Sequence, residues 1–107
     1  DVWIIIPCFN ESSVIENTIN ELSEYFKKIL VVNDGSTDGT EKILKNMNIN
    51  YIEHPFNLGQ GAAIFTGFEY LKKNFNVISR GTYKVNKGIF ELKEDKLKFQ
   101  WKILKII

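Results

Sequence analysis

Residues 33–40 read NDGSTDGT and follow two valines, Val31 and Val32, so that two carboxylates, two glycines and three hydroxyls crowd into eight positions. Three chemistries use such a set. Asp34, Ser36, Asp38 and Gly39 fall at positions 1, 3, 5 and 6 of a calcium-binding EF-hand loop, but position 12, a bidentate Glu in such loops, is Lys45. The segment also follows an apolar strand-like run rather than a helix, which argues against calcium. The glycines and hydroxyls suit a phosphate cradle at a helix start, yet Asp34 and Asp38 would repel a phosphate there unless a metal intervened. The third chemistry is recognition of a neutral polar ligand, in which Asp34 accepts from a nucleobase N–H or a sugar hydroxyl. The plain structural alternative makes Asp38 a helix cap and Asp34 a turn former. Capping needs one carboxylate and Asp38 supplies it, which leaves Asp34 for a ligand.

Other chemistry-bearing residues are sparser. Gly59-Gln60-Gly61-Ala62-Ala63-Ile64 carries the first two glycines of a dinucleotide fingerprint, with Ile64 in place of the third. A milder claim survives: these glycines let backbone N–H groups at a helix start approach an anion, or they serve a tight turn. Glu11 either meets a ligand or favours the start of the first helix. His54 reads as a solvated strand end, since no second His or nearby Cys supports a metal. Cys8 reads as a small packing residue. No classical triad is assembled.

The elements that position these residues are legible from periodicity. Val2–Ile6 and Ile29–Val32 are continuous apolar runs, the first stopped by Pro7, and read as strands buried on both faces. Asn50–Glu53 is a third, short strand. A first helix opens on a Ser13/Glu16 capping box, carries Val14, Ile15, Thr18, Ile19, Leu22, Tyr25 and Phe26 at helical spacing, and ends near Lys27-Lys28. A second, capped by Asp38 with Glu41 as its box partner, presents Ile43, Leu44 and Met47. A third runs from about Gln60 to Lys73 and offers Ala62, Ala63, Phe65, Phe68 and Leu71 for packing. Phe75–Ser79 is a candidate fourth strand. The order β-α-β-α-β-α-β predicts an α/β fold, a three-layer α/β/α sandwich with a mostly parallel sheet. In such sheets ligands bind beyond the carboxyl ends of the strands. The loops 7–12, 33–40 and 54–61 meet there, so a shared site is expected on physical grounds alone.

Two parts of the chain differ in charge. Residues 1–79 hold six Lys against ten acids, and residues 80–107 hold seven Lys and Arg80 against three acids, for a net charge of +1 over 107 residues. The basic part alternates apolar and polar residues from Tyr83 to Leu92 and from Leu97 to Ile103, which predicts a half-buried C-terminal β-hairpin turning at Lys93–Lys96. Its lysines form a solvated face, or a cationic surface for anionic lipid or a protein partner. The one cysteine excludes an intrachain disulfide framework and leans towards a reducing compartment. No apolar run reaches transmembrane length.

Three motifs, IIIPCFNE, VVNDGSTDGT and HPFNLGQGAAIFTGFEYL, follow successive strands in that order. Together they resemble the N-terminal, nucleotide-binding half of family 2 glycosyltransferases of the GT-A fold, nearest the branch that makes polysaccharides or polyprenyl-phosphate-linked sugars. The resemblance covers about residues 2–77. It implies a nucleotide-sugar donor, often a UDP-sugar, and transfer to an acceptor hydroxyl or lipid phosphate. It implies that Pro7, Phe9 and Glu11 line the nucleoside pocket, that Asp34 accepts from the base with Gly35 and Ser36 shaping the floor, and that Asn57, Gly59, Gln60 and Gly61 lie over the ribose and phosphates. It also implies Mg²⁺ or Mn²⁺, held by an Asp-x-Asp motif where this chain has Val77-Ile-Ser-Arg-Gly-Thr82, a stretch with no carboxylate. No metal ligand and no catalytic base is assigned. The expectations that follow are a shortened form of the family, a cytoplasmic location that includes the cytoplasmic membrane face, and no nucleic-acid partner. A non-catalytic nucleotide-binding module or a remnant scaffold is the alternative.

Overall fold

The computed structural model describes residues 2–75, 83–86, 89–92 and 100–104. Its elements are β1 (Val2–Cys8), α1 (Ile15–Ser23), β2 (Lys28–Asp34), α2 (Thr40–Asn46), β3 (Asn50–His54), α3 (Gln60–Phe75), β4 (Tyr83–Asn86), β5 (Ile89–Leu92) and β6 (Gln100–Leu104). They form one sheet in the order β3-β2-β1-β6-β5-β4. β2 pairs in parallel with both β1 and β3, and β6 pairs in parallel with β1. β5 runs antiparallel to β6 and to β4. The hairpin expected at the C-terminus is the β5–β6 pair, with β4 folded back on β5 as a further strand.

Alternation along the strands divides the core in two. Ile4, Ile6 and Cys8 of β1 face one side with Ile29 and Val31 of β2, where Ile15 and Ile19 of α1 and Leu44 of α2 cover them. Trp3 and Ile5 face the other side with Leu30 and Val32, under Ala63 and Leu71 of α3. Both faces are covered, so these strands read as unbroken apolar runs. The result is the expected three-layer α/β/α arrangement. α3 lies close on its face: a Cβ on Gly67 would stand 2.8 Å from Ile5 Cγ2 and 3.2 Å from Val32 Cγ2.

The ends of the elements differ from expectation. β1 runs through Pro7, which pairs opposite Val32. Among the described residues, registered pairing to β6 ends at Ile5, so none of them asks a ladder bond of the proline on that side. β2 extends through Asn33 and Asp34, making Asp34 the last residue of a strand. The Ser13/Glu16 capping box does not form: Val14 is the N-cap of α1, without a side-chain cap, and Glu11 O accepts from the Val14 and Ile15 amides instead. α1 ends at Ser23, before the two lysines, and leaves Tyr25 79% exposed rather than packed. α3 continues to Phe75, which is therefore helical, and Phe65 on it is 65% exposed. The remaining residues of the expected fourth strand, 76–79, lie outside the described residues.

Candidate functional site

A cavity of about 380 Å³ opens at the carboxyl ends of β1, β2 and β3. Pro7 and Cys8 close β1 there, Phe9 and Glu11 follow it, Asp34 ends β2, and Asn57, Gly59 and Gln60 lead into α3. Seven of the ten residues expected at a nucleotide site thus line one cavity: Pro7, Phe9, Glu11, Asp34, Asn57, Gly59 and Gln60. The other three are not among its lining residues. Gly35 is pressed against the backbone of Phe56 and Asn57, Ser36 is turned into a network with Asn33, and Gly61 lies in the first turn of α3. Among the described residues the lining holds two carboxylates, Glu11 and Asp34, and no cation. Positive potential reaches it from the N-terminal end of α3 at Gln60.

Asp34 is 3% exposed and accepts four hydrogen bonds. Its Oδ1 takes His54 Nδ1 at 2.8 Å and the Leu58 amide at 2.9 Å. Its Oδ2 takes the Gly59 amide at 2.9 Å and Asn57 Nδ2 at 3.0 Å. Burial pushes this carboxyl up, but the bonds from His54, Leu58 and Gly59 outweigh it and hold the group below its usual 3.8. His54 is buried, not solvated: β3 ends beneath α3, and His54 Nε2 lies 2.8 Å from Thr66 Oγ1. Thr66 is a site residue that sequence reasoning missed. The available signal was one aliphatic hydroxyl among the apolar and small residues of α3.

Asp38 stands one residue before the N-cap position of α2, and its side chain still accepts from the first amide of that helix. The N-cap is Gly39, at φ +92°, and makes no side-chain bond. Asp38 Oδ1 accepts from the Thr40 amide at 3.1 Å and from the Thr40 hydroxyl, while Oδ2 accepts from the Ser12 amide at 3.0 Å. Burial pushes the carboxyl up, but these bonds prevail and bring it down to about 2. Beside it, fully buried Asn33 donates to Glu53 Oε1 at 2.7 Å and accepts from the Ser36 hydroxyl. The Asn10 amide donates to Ser36 Oγ at 2.9 Å, and the Thr37 amide to Asn10 Oδ1 at 2.8 Å. Burial raises the Glu53 carboxyl above its usual 4.5, against the bond from Asn33. The two carboxylates of the opening motif therefore tie different neighbours: Asp38 binds the loop after β1, and Asp34 binds the loop after β3.

Cys8 lines the cavity as well as the core. Burial, then the nearby Glu11 charge, push its thiol up to about 12, which keeps it protonated and unreactive. The metal that the family resemblance implies finds no fitting donor set among the described residues. Asp34 has both oxygens committed, Glu11 is the other lining carboxylate, and no group of three or more His, Cys, Asp or Glu side chains gathers around one point.

The layers, the parallel strands and a loop-lined cavity at their carboxyl ends define a Rossmann-like half of an α/β protein. Within that class the glycosyl transferase family 2 model matches residues 3–79, and the chain belongs to that family. A UDP-N-acetylglucosamine–dolichyl-phosphate N-acetylglucosaminyltransferase of Methanococcus voltae is 33% identical over 94 residues, covering 71% of this chain and 36% of the relative. An uncharacterized protein of Methanocaldococcus jannaschii is 37% identical over 70 residues, covering 64% of this chain and 29% of the relative. A poly-beta-1,6-N-acetyl-D-glucosamine synthase of Staphylococcus epidermidis is 31% identical over 75 residues, with 64% and 18% covered. The chain thus spans little more than a third of these relatives at most. No solved structure gives a significant match.

Proposed function

We propose that the cavity binds the nucleotide of a sugar donor, a UDP-sugar, and that in an intact form of the protein the sugar passes to an acceptor hydroxyl or a lipid phosphate. The observation that carries this reading is the convergence of Phe9, Glu11, Asn57, Gly59 and Gln60 on one cavity at the strand ends. Each contributes a distinct piece of chemistry. Phe9, 45% exposed, offers an aromatic face to a base. Glu11 offers a carboxylate to which no described residue donates, open to a base N–H or a ribose hydroxyl. The α3 end offers amides and partial positive charge to phosphate oxygens. Family membership supports a glycosyl donor, and the relative from Methanococcus voltae carries UDP-N-acetylglucosamine and dolichyl phosphate in its name. On this reading the domain works in the cytoplasm at a membrane face, with the basic C-terminal part against anionic lipid or a protein partner.

A second reading, a non-catalytic nucleotide-binding module, is favoured by the sequence of residues 77–82, which carries no carboxylate where the resemblance implies the metal motif. Calorimetric titration of the 107-residue chain with UDP and UDP-N-acetylglucosamine, with and without Mn²⁺, separates the two. Saturable one-to-one binding supports nucleotide recognition. Metal-dependent binding with sugar release supports the enzyme, and metal-independent binding supports the module. Glu11→Gln should weaken UDP by roughly tenfold, because the carboxamide keeps one acceptor oxygen but loses the charge that strengthens the hydrogen bond. The absence of binding by the unaltered chain would refute both readings.

A further inference from the structure

Residues 9–12 leave β1 with alternate residues serving different neighbours. Phe9 and Glu11 line the cavity, whereas Asn10 and Ser12 hydrogen-bond to the loop after β2. Asn10 carries two of these bonds. Its amide donates to Ser36 Oγ at 2.9 Å, and its side-chain Oδ1 accepts from the Thr37 amide at 2.8 Å. It also has φ +52°, a left-handed conformation that asparagine tolerates better than most side chains. The residue between two cavity-lining side chains is thus fixed in an uncommon backbone shape by partners 26 and 27 positions away.

The partners of Asn10 are themselves anchored. Ser36 Oγ, which accepts from Asn10, donates to Asn33 Oδ1, and the fully buried Asn33 donates from Nδ2 to Glu53 Oε1 at 2.7 Å. The run of bonds Glu53–Asn33–Ser36–Asn10 therefore crosses from β3 through β2 to the loop after β1. Asn33 pairs opposite Cys8 of β1 and Glu53 of β3, so its side chain starts from the sheet and not from a loop. Ser12 adds a second tie, its amide donating to Asp38 Oδ2 at 3.0 Å. Asn10 is exposed, and a lone surface hydrogen bond contributes little because water competes for both groups. An acceptor already ordered by a buried network removes part of that disadvantage.

We infer that Asn10 is a positioning residue: through Ser36 and Thr37 it holds Phe9 and Glu11 where they shape the cavity. Asn10 itself is not among the lining residues, so it acts on a bound molecule through its two neighbours. The inference rests on the nucleotide reading for its ligand arm only. Loss of Asn10 then lowers affinity although every side chain of the lining is still present.

The test begins with the ligand-free chain and Asn10→Gly, which accepts the left-handed conformation but lacks the Oδ1 acceptor. Amide hydrogen exchange followed by NMR should speed up roughly tenfold at Thr37, the effect of losing about one hydrogen bond, and the Phe9 and Glu11 amide shifts should move. Asn10→Asp keeps an acceptor and tolerates the same φ, so it should restore slow exchange at Thr37. UDP should bind Asn10→Gly roughly three- to tenfold more weakly. Asn48→Gly is the control. Asn48 has φ +55° between α2 and β3, at the opposite end of β3 from the cavity, and its replacement should leave UDP affinity unchanged. Unchanged Thr37 exchange in Asn10→Gly, no recovery in Asn10→Asp, or a UDP affinity that does not fall, or falls equally in Asn48→Gly, would overturn the inference. If Asn10→Gly does not fold, Ser36→Ala removes the acceptor of the Asn10 amide. That amide should then exchange faster and the Phe9 and Glu11 amides should shift, and no change there would overturn the inference. Should no nucleotide bind the unaltered chain, the nucleotide reading fails while the exchange arm still decides the role of Asn10.

Discussion

Replacing Gly35 with Ala should disrupt the clamp between the loops after β2 and β3. Gly35 has φ +71°, and an ideal Cβ there would lie 2.2 Å from Phe56 C, 2.4 Å from Asn57 N and 2.6 Å from Phe56 Cα. The first of these is about 1.2 Å short of the 3.4 Å at which ordinary contact begins. The obstacle is backbone, which cannot rotate away as a side chain can. The left-handed conformation alone costs an alanine about 1–2 kcal/mol, and forced overpacking adds about 1–3 kcal/mol. A total of roughly 3–4 kcal/mol, at roughly 4–8 °C per kcal/mol for a domain of this size, lowers the melting temperature by roughly 12 °C or more. Gly39 supplies the control. It has φ +92° and nothing within 4 Å of its Cβ position, so Gly39→Ala carries the conformational cost without the clash. Thermal melts of the two variants followed by circular dichroism isolate the contact, which should separate them by about 2 kcal/mol. Melting temperatures within about 3 °C of each other would refute the close approach of the two loops.

Three further outcomes follow from the same structure. Gly67→Ala should cost about 1–2 kcal/mol in urea unfolding, because overpacking against Ile5 and Val32 exceeds the roughly 1 kcal/mol gained in helix propensity; a stabilised variant would mean that α3 stands off the sheet. Cys8, protonated and buried, should react with a disulfide reagent at pH 8 roughly 100-fold more slowly in the folded chain than in urea, and rapid reaction would contradict its burial. Asp38, ionising at about 2 against an ordinary 3.8, stabilises the fold fully above pH 3.8, and that contribution is lost as pH falls towards 2. The Ser12 and Thr40 amide shifts should titrate near the lower value, and a midpoint near 4 would remove the proposed tie.

The strands were legible because Ile4–Ile6 and Leu30–Val32 are apolar at consecutive positions, a pattern that requires helices on both faces. The common site was legible for the same reason, since parallel strands bring their carboxyl-end loops together. The start of α3 at Gln60 was legible as well, but the capping of the first two helices was less so. Ser13 and Glu16 have the residue types of a capping box but make no cap bond, and Asp38 divides its oxygens between the Thr40 amide and the Ser12 amide, the latter across 26 positions of sequence. Pro7 looked like a strand stop because sequence does not show where ladder bonds are required. His54 looked solvated because its partner Thr66 lies on a helix whose approach depends on Gly67. Asp34 lies in the cavity wall, and its four donors come from residues 54–59, whose loop conformation no local pattern encodes.

The central claim is that the cavity at the ends of β1, β2 and β3 receives a nucleotide. Its most direct test is an NMR titration of the isotopically labelled chain with UDP, read residue by residue. Saturating shifts at Phe9, Glu11, Asn57, Gly59 and Gln60, with the amides of Lys42–Asn46 on α2 unmoved, are the predicted result. Shifts confined to α2, or none at millimolar UDP, would contradict it.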